Sequence, residues 1–542
     1  MKKHDFSYFF VAVLVSLIFI AISLFVIMKD NTPYVYDMAN LRVFSLDYFN
    51  YLNEGNYNNF YNLFRRDYFY PPFYVLGALP FYMLFGTSQD VSTFVNMPFA
   101  LVLILSSYFI GKKLWDQKTG LLGCMFVALT PAVFSFSRVF MMDFAVCASA
   151  SLSICLMLYT DRFTKKMFNF FFGLSLGLGV MIKWTYVVYI IGPFSIYLLS
   201  SFRKKEWFSV FTLKNNKFNI FLLGGAIGMI LPLIWYYDKI YYIISRASRL
   251  NLDYSVQIGG FNPFTIENLK WYLHSLYFPL LRYFFALFLI SFTYFIFFIK
   301  SRQKSVIAAW FLVPYIIYTF SAWKDSRYLL GALPALGLIA AATVSYLSER
   351  ILKNKIGVFI IAALLISLSA VTFAAHDKGK EHNFNLATLS SDGLYTWHNI
   401  DYSFDEMMDA LDTQANEILV IPNSILLDSF LNEVYLQKPS IKIDRGLFCI
   451  ASGGANNCRE RELSRFSDKE LICNFDMVIS YEEKFDHFRY GVIYLPKDSS
   501  LHHEVIRPLI DNWEHCKKDF KVIATFKDIT NNDMALHFYQ KK

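Results

Sequence analysis

Eleven apolar runs, each near the length of a membrane-crossing helix, constrain this chain more than any other feature of its sequence. The first lies at about 8–28; the others fall near 92–111, 119–136, 141–159, 168–182, 184–200, 218–237, 273–299, 305–322, 327–346 and 356–375. A helix rises 1.5 Å per residue, so about 20 apolar residues cover the ~30 Å of hydrocarbon in a bilayer. Backbone surrounded by lipid must satisfy its own hydrogen bonds, which a helix does. The run 168–182 is short for this task and 273–299 is long enough to tilt. The first run exceeds the roughly 7 to 15 apolar residues of a signal-peptide core and no small-residue cleavage site follows it, which predicts a retained span.

Charge gives the runs a direction. Only 17 % of the 542 residues are charged, against about a quarter in an ordinary soluble protein, and the net charge of +8 is concentrated in short clusters between the apolar runs. That distribution lacks the basic face or base-reading motif of a nucleic-acid binder, so no nucleic-acid partner is expected. With Lys2 and Lys3 cytoplasmic, alternate loops should be basic. They carry Lys112, Lys113 and Lys118; Arg162, Lys165 and Lys166; Arg203, Lys204 and Lys205; Lys300, Arg302 and Lys304; and Arg350, Lys353 and Lys355. The opposite, extracytoplasmic side then receives 29–91, the turns at 137–140, Lys183 and 323–326, the segment 238–272, and everything after 375. The stretch PPFYVLGALPFYMLFG, 71–86, would invert every later loop if it crossed, so it is placed as a surface or partly inserted helix on the outer side.

From about His376 the composition changes. Short β-favouring runs such as EILVIPNS, FDMVISYEE, YGVIYLP and DFKVIATFKD alternate with turn residues and helix-like stretches, which predicts an extracytoplasmic α/β domain over 376–542 beside a membrane domain over 1–375. Four of the seven cysteines, Cys449, Cys458, Cys473 and Cys516, lie in this tail. Outside the cytoplasm a Cys449–Cys458 disulfide is open to them, and their spacing is not that of a structural zinc site.

Polar residues gather on the predicted outer side. An ionised side chain at the bilayer centre costs about 2.5 to 3.5 kcal/mol on insertion scales, so the charges in SFSRVFMMDFAVCASA need a reason. Arg138 and Asp143 stand where one span reaches the surface and the next begins. Asp37 follows the first span, just before an amphipathic pattern of Leu41, Phe44, Leu46, Phe49 and Leu52. Two carboxylates reaching one cavity can divide labour, one acting as base and the other positioning an acceptor or holding a cation; alone, either is as well explained as a helix cap. Lys324, Arg327 and Tyr328 mark the outer end of a later span. Arginine there offers a directional fork to a phosphate and lysine a mobile charge, although Asp325 could also make the group a local ion cluster. Lys183 either contacts ligand or snorkels to the surface, and His274, at the start of another span, is more often structural than functional in such a place.

These residues resemble the membrane glycosyltransferases that use polyprenyl-phosphate sugars, and within them the protein mannosyltransferase and lipid A aminoarabinose transferase group. The resemblance covers about 8–375 and rests on Asp37 after the first span, the Tyr70-Pro71-Pro72-Phe73-Tyr74 segment, Arg138 and Asp143 in SRVFMMDFA, and Lys324-Asp325-Ser326-Arg327-Tyr328. It implies a GT-C-like polytopic α-helical core, to which the runs give about 11 transmembrane helices, and an inverting transfer at the outer face of a bacterial inner membrane. The donor would be a polyprenyl-phosphate sugar and the acceptor a hydroxyl of a glycan, lipid or protein. Asp37 would be the base, Tyr70 would line the cavity, Lys324 and Arg327 would lie near the leaving phosphate, and Asp143 would support geometry or an ion. The aminoarabinose-transferring members follow the first acid with a second acid and an arginine, where this chain has Met38, Ala39 and Asn40. They also place Glu-Lys before the paired prolines, where Phe69 and Tyr70 stand here. Both departures favour a neutral hexose or pentose. Two aspartates are too few ligands for an obligatory metal, which leaves room for a weak, substrate-dependent Mg²⁺ or Mn²⁺. The rival class is a transporter or flippase for a lipid-linked or anionic solute, against which stand the one-sided charges and the large external tail.

Overall fold

The computed structural model describes residues 3–30, 34, 37–65, 69–202, 216–257, 262–281, 284–299, 304–322 and 324–348, then 407, 409, 411, 417–421, 442–445, 477–481, 489–490, 493–494, 515–528 and 534–541. The apolar run at 356–375 and the residues Cys449, Cys458 and Cys473 lie outside this set. The chain divides into two compact units. One comprises Met1–Lys29, Phe44–Lys378 and Ser391–Thr396; the other comprises Asp30–Val43, Gly379–Ser390 and Trp397–Lys542.

The first unit is helical. Helix α1 (Lys3–Ile27) is followed by α2 (Asp37–Asn53), whose opening residues fall in the other unit, and by the short α3 (Tyr57–Arg65), α4 (Phe73–Leu76), α5 (Leu79–Phe85) and α6 (Gln89–Thr93). Then come α7 (Asn96–Leu114), α8 (Gln117–Leu129), α9 (Pro131–Ser137), α10 (Met142–Tyr159), α11 (Lys166–Ile182), α12 (Tyr186–Ser201), α13 (Asn216–Tyr236) and α14 (Ile240–Gln257). The unit continues with α15 (Ile266–Ser275), a π-helical turn (Leu276–Leu281), α16 (Phe284–Phe298), α17 (Lys304–Thr319), a 3₁₀ segment (Ser326–Ala332) and α18 (Leu333–Leu347).

Among the described residues five helical stretches are long and apolar enough to cross a membrane: Ser7–Ile27, Gln89–Leu114, Met142–Tyr159, Phe218–Tyr236 and Ser326–Leu347. The α8–α9 pair is a sixth if its halves, bent by 63°, count as one span. Shorter apolar helices occupy Phe73–Phe85, Lys166–Ile182, Tyr186–Ser201, Phe284–Phe298 and Lys304–Thr319. The protein is therefore a polytopic helical membrane protein. Burial orders the bundle: 94 % of the span ending in α18 and 78 % of α10 are enclosed by other helices, against 33 % of α1 and α13, which are left with lipid-facing surface.

Two runs that read as single spans are not uniform α-helix, and a proline lies at the irregularity in each. In 119–136 the helix stops at Thr130, whose backbone is extended (φ −64°, ψ 121°) because Pro131 disfavours the helical region for the residue before it. The Thr130 hydroxyl donates to Phe126 O at 2.8 Å and satisfies one of the carbonyls left open. In 273–299, Pro279 lies within the π-helical turn between α15 and α16, where it removes an N–H from the ladder.

Helices α11 and α13 run parallel and approach most closely. A methyl group on Gly177 would come within 2.1 Å of Gly228 O, and one on Gly224 within 2.1 Å of Phe170 O. Only glycine allows backbones this near. In lipid, where no hydrophobic drive joins helices, such contact and its van der Waals packing hold a pair together.

In the second unit the described strands are β1 (Glu417–Ile421), β2 (Lys442–Arg445), β3 (Met477–Tyr481), β4 (Arg489–Tyr490), β5 (Ile493–Tyr494), β6 (Phe520–Asp528) and β7 (Met534–Lys541). Five of them form one sheet in the order β2-β1-β3-β7-β6, with β1 parallel to both neighbours and β7 antiparallel to both of its own. Cys516 is disulfide-bonded, its partner lying outside the described residues.

Candidate active site

Asp143 stands in the first turn of α10, where a negative charge is favoured by the helix dipole, and Lys183 closes α11 with extended backbone (φ −161°, ψ 135°). These two helices meet at the same end, and the Lys183 ammonium donates to Asp143 Oδ1 at 2.8 Å. Their side chains are 4 % and 6 % exposed, so this is a buried ion pair and Lys183 does not reach outward to snorkel. Two aromatic faces complete the lysine's surroundings: the ring of Tyr70 lies 5.3 Å from Nζ and that of Tyr328 6.0 Å away. Desolvated, a cation gains about 2 kcal/mol or more from such rings. Asp143 Oδ2 and Ser326 Oγ are buried without a hydrogen-bond partner, acceptor and hydroxyl that a substrate group or water can satisfy.

The Lys324–Tyr328 segment supplies the rest. Asp325 caps the 3₁₀ segment by accepting from the Arg327 N–H at 3.0 Å, and its other oxygen pairs with Arg327 Nε at 2.9 Å. Arg327 is thus held from behind, with Nη1 3.6 Å from Met141 Sδ, next to the start of α10, and its charge acts on Asp143. Lys324 turns back to the end of α17, donating to Thr319 O at 2.8 Å and Tyr318 O at 3.3 Å while lying 5.3 Å from the Tyr272 ring. Burial pushes its ammonium down to about 8. Burial likewise raises the Asp325 carboxyl, with the Arg327 charge opposing.

The bundle therefore gathers Tyr70, Asp143, Lys183, Arg327 and Tyr328 at one end, with Lys324 behind Tyr318. Three more expected residues stand on other elements. Arg138 ends α9 with Nε 3.4 Å from Phe134 O and its guanidinium 4.8 Å from the Phe134 ring, so it closes its own helix. His274 is exposed in the last turn of α15 and enters none of the hydrogen bonds, ion pairs or ring contacts of the cluster. Asp37 opens α2 and belongs to the second compact unit.

Several supporting residues were missed from sequence. Tyr189 donates to Tyr328 O at 2.7 Å and receives Tyr318 OH at 3.4 Å, fixing the strand of backbone that carries Arg327. Asn96 donates to Val139 O at 2.7 Å and Ser137 O at 3.2 Å while accepting from Tyr74 OH at 3.0 Å, which ties the paired-proline segment to the turn before Asp143. An asparagine at the head of an apolar run was the available signal. Among the described residues no three His, Cys, Asp or Glu side chains converge. With Lys183 bound to it and Arg327 near, Asp143 sits in surroundings that suit an anion better than a cation.

Residues 70–236, just under a third of the chain, match the family model described as dolichyl-phosphate-mannose-protein mannosyltransferase. The match begins at Tyr70 and includes Arg138, Asp143 and Lys183. No curated protein matches the sequence. Two solved structures share the fold over nearly their whole length. ArnT from Cupriavidus metallidurans in the apo state is 12 % identical with a TM-score of 0.59, covering 99 % of this chain and 98 % of that one. The same protein bound to undecaprenyl phosphate is 13 % identical with a TM-score of 0.58, covering 96 % and 97 %. The similarity read from sequence is thus met by the family model over 70–236, and the expected fold by the likeness to ArnT.

Proposed function

We infer that this chain, similar to the dolichyl-phosphate-mannose-protein mannosyltransferases over 70–236 and alike in fold to ArnT, is a glycosyltransferase that uses a polyprenyl-phosphate sugar. The observation that carries the reading is the convergence of Lys183 and Arg327, with Tyr70 and Tyr328, at the end of membrane helices. A lipid-linked phosphate can bring its charge to that depth while its prenyl tail stays in hydrocarbon. The acceptor hydroxyl gives its proton to a carboxylate and its oxygen attacks the anomeric carbon. The bond from that carbon to the phosphate oxygen breaks, and the electron pair leaves with the phosphate, inverting the sugar. The fixed cations favour the transition state because negative charge grows on the phosphate as it departs. The resemblance gives the base to Asp37. Asp143, already bound to Lys183, acts by fixing the lysine and presenting Oδ2 to a substrate hydroxyl.

The same reading carries about 11 spans, a cytoplasmic N-terminus, an extracytoplasmic α/β tail over 376–542, a neutral hexose or pentose, and an envelope glycan, lipid or protein as acceptor. A divalent ion, Mg²⁺ or Mn²⁺, would be weak and substrate-dependent. The disulfide at Cys516 supports the placement of the tail, since such bonds persist in oxidising compartments. Purified protein incubated with a panel of polyprenyl-phosphate sugars and membrane extract should release lipid phosphate only when acceptor is present. Absence of release across the panel, with the donors shown to be intact, would overturn the assignment.

Lys324 gives this activity a pH signature. A lysine depressed to about 8 loses its charge as pH rises through that value, whereas the unfolded chain keeps its proton to about 10.4. Between these values the unfolded state binds more protons, so stability rises with pH while the cation near the site is lost. kcat/KM should therefore fall above pH ~8, and Lys324→Arg should move that limb upward. An alkaline limb identical in both proteins would remove Lys324 from the electrostatics of transfer.

A further inference from the structure

Helix α3 has no buried side chain of its own, yet it leads directly to Tyr70, the ring laid on Lys183. What holds it lies at its two ends. The Phe60 ring meets Tyr48 of α2 edge-on at 5.0 Å. At the other end Arg65 Nη2 pairs with Asp238 Oδ2 at 2.5 Å and Nη1 lies 3.4 Å from Ile234 O, so the arginine grips the corner between α13 and α14. Asp238 is itself anchored. Its Oδ1 accepts from Lys239 at 2.9 Å, and the Lys239 side chain is fully buried, with Nζ 5.3 Å from the Trp235 ring. Just before Tyr70, Phe69 packs edge-on against Trp184 at 5.7 Å and beneath the Arg246 guanidinium at 5.5 Å. Trp184 is the neighbour of Lys183. Arg65 and Phe69, on the N-terminal side of Tyr70, thus both contact the α13–α14 region, and Phe69 also packs on Trp184, the neighbour of the lysine that Tyr70 covers.

We propose that Arg65 and Asp238, with Lys239 behind them, are positioning residues that hold Tyr70 over Lys183 and so shape the site for the lipid-linked phosphate. This rests on the glycosyl-transfer reading for its ligand, and on the geometry alone for the latch. The Lys239 ammonium, and more weakly Arg65, hold the Asp238 carboxyl below the usual carboxylate range, so the latch stays charged at neutral pH. An exposed ion pair contributes little to global stability, so its loss should act locally.

The test uses full-length protein in detergent and two readouts. In hydrogen exchange, Arg65→Met should speed the amides of α3 at least ~10-fold and leave α10 unchanged, with Arg65→Lys between. In a double-mutant cycle, affinity for undecaprenyl phosphate is measured for wild type, Arg65→Met, Tyr70→Ala and the double variant. Arg65→Met alone should weaken binding about 5-fold or more, and should add less than about 2-fold once Tyr70 is gone, because what it positions is absent. Losses that multiply, unchanged binding by Arg65→Met, or unchanged exchange in α3 would each overturn the latch. A wild-type protein that binds no polyprenyl phosphate would defeat the proposed function instead, and the exchange of α3 would still decide whether Arg65 holds the segment.

Discussion

Lys183→Met should abolish transfer and destabilise the helical unit by about 3–5 kcal/mol, because it takes the hydrogen-bonded cation away from a buried carboxylate. The pairing makes the outcome of a second substitution specific. In Lys183→Met combined with Asp143→Asn no charge is left unpaired, so most of the lost stability should return while transfer stays at least ~10²-fold below wild type. Thermal unfolding and single-turnover transfer on the same preparations separate the two effects. Wild-type stability and turnover in Lys183→Met would show that the ammonium serves neither the fold nor the phosphate.

Asp37→Asn should leave donor binding intact and slow transfer by about 10²- to 10⁴-fold, the usual contribution of a general base. Asp143→Asn should differ in kind, since its carboxylate is committed to Lys183 at 2.8 Å. Freed from that partner the lysine shifts, and the loss should appear partly as weaker binding of donor or acceptor. Single-turnover rates set beside separately measured affinities distinguish the two patterns. Near-normal transfer by Asp37→Asn with an inactive Asp143→Asn would move the base to Asp143, and normal transfer by both would reject a two-carboxylate site.

Hydropathy made the helical architecture legible because lipid demands long apolar segments with satisfied backbones. The same signal concealed the bend at Pro131 and the π-helical turn holding Pro279, because apolar side chains continue through both. The clustering of Asp143, Lys183, Arg327 and Tyr328 followed from assigning their turns to one side of the membrane. Their partners did not. Asp143 and Lys183 are 40 residues apart, and only the α10–α11 hairpin turns that separation into a hydrogen bond. Lys183 read equally well as a ligand contact or a snorkelling residue, since burial depends on neighbours that arrive from three separate parts of the chain, at Tyr70, Asp143 and Tyr328. Tyr189, Tyr318 and Asn96 were hidden for a related reason: single polar groups in apolar helices look like interfacial residues until their partners are located. The latch at Asp238 joins residues more than 170 positions apart in the chain, a distance over which no local pattern carries information.

The glycine contact between α11 and α13 bears on how the site tolerates its surroundings. Lys183 terminates one of these helices and the Asp238 corner follows the other, so the contact sets the height of one relative to the other. Long side chains between helices act as compliant spacers, whereas touching backbones leave nothing to compress. A thinner or thicker bilayer, which tilts helices at a cost of fractions of a kcal/mol per Å of mismatch, would carry these two as one body. The separation between Lys183 and the Asp238 corner is thereby expected to change little with lipid composition.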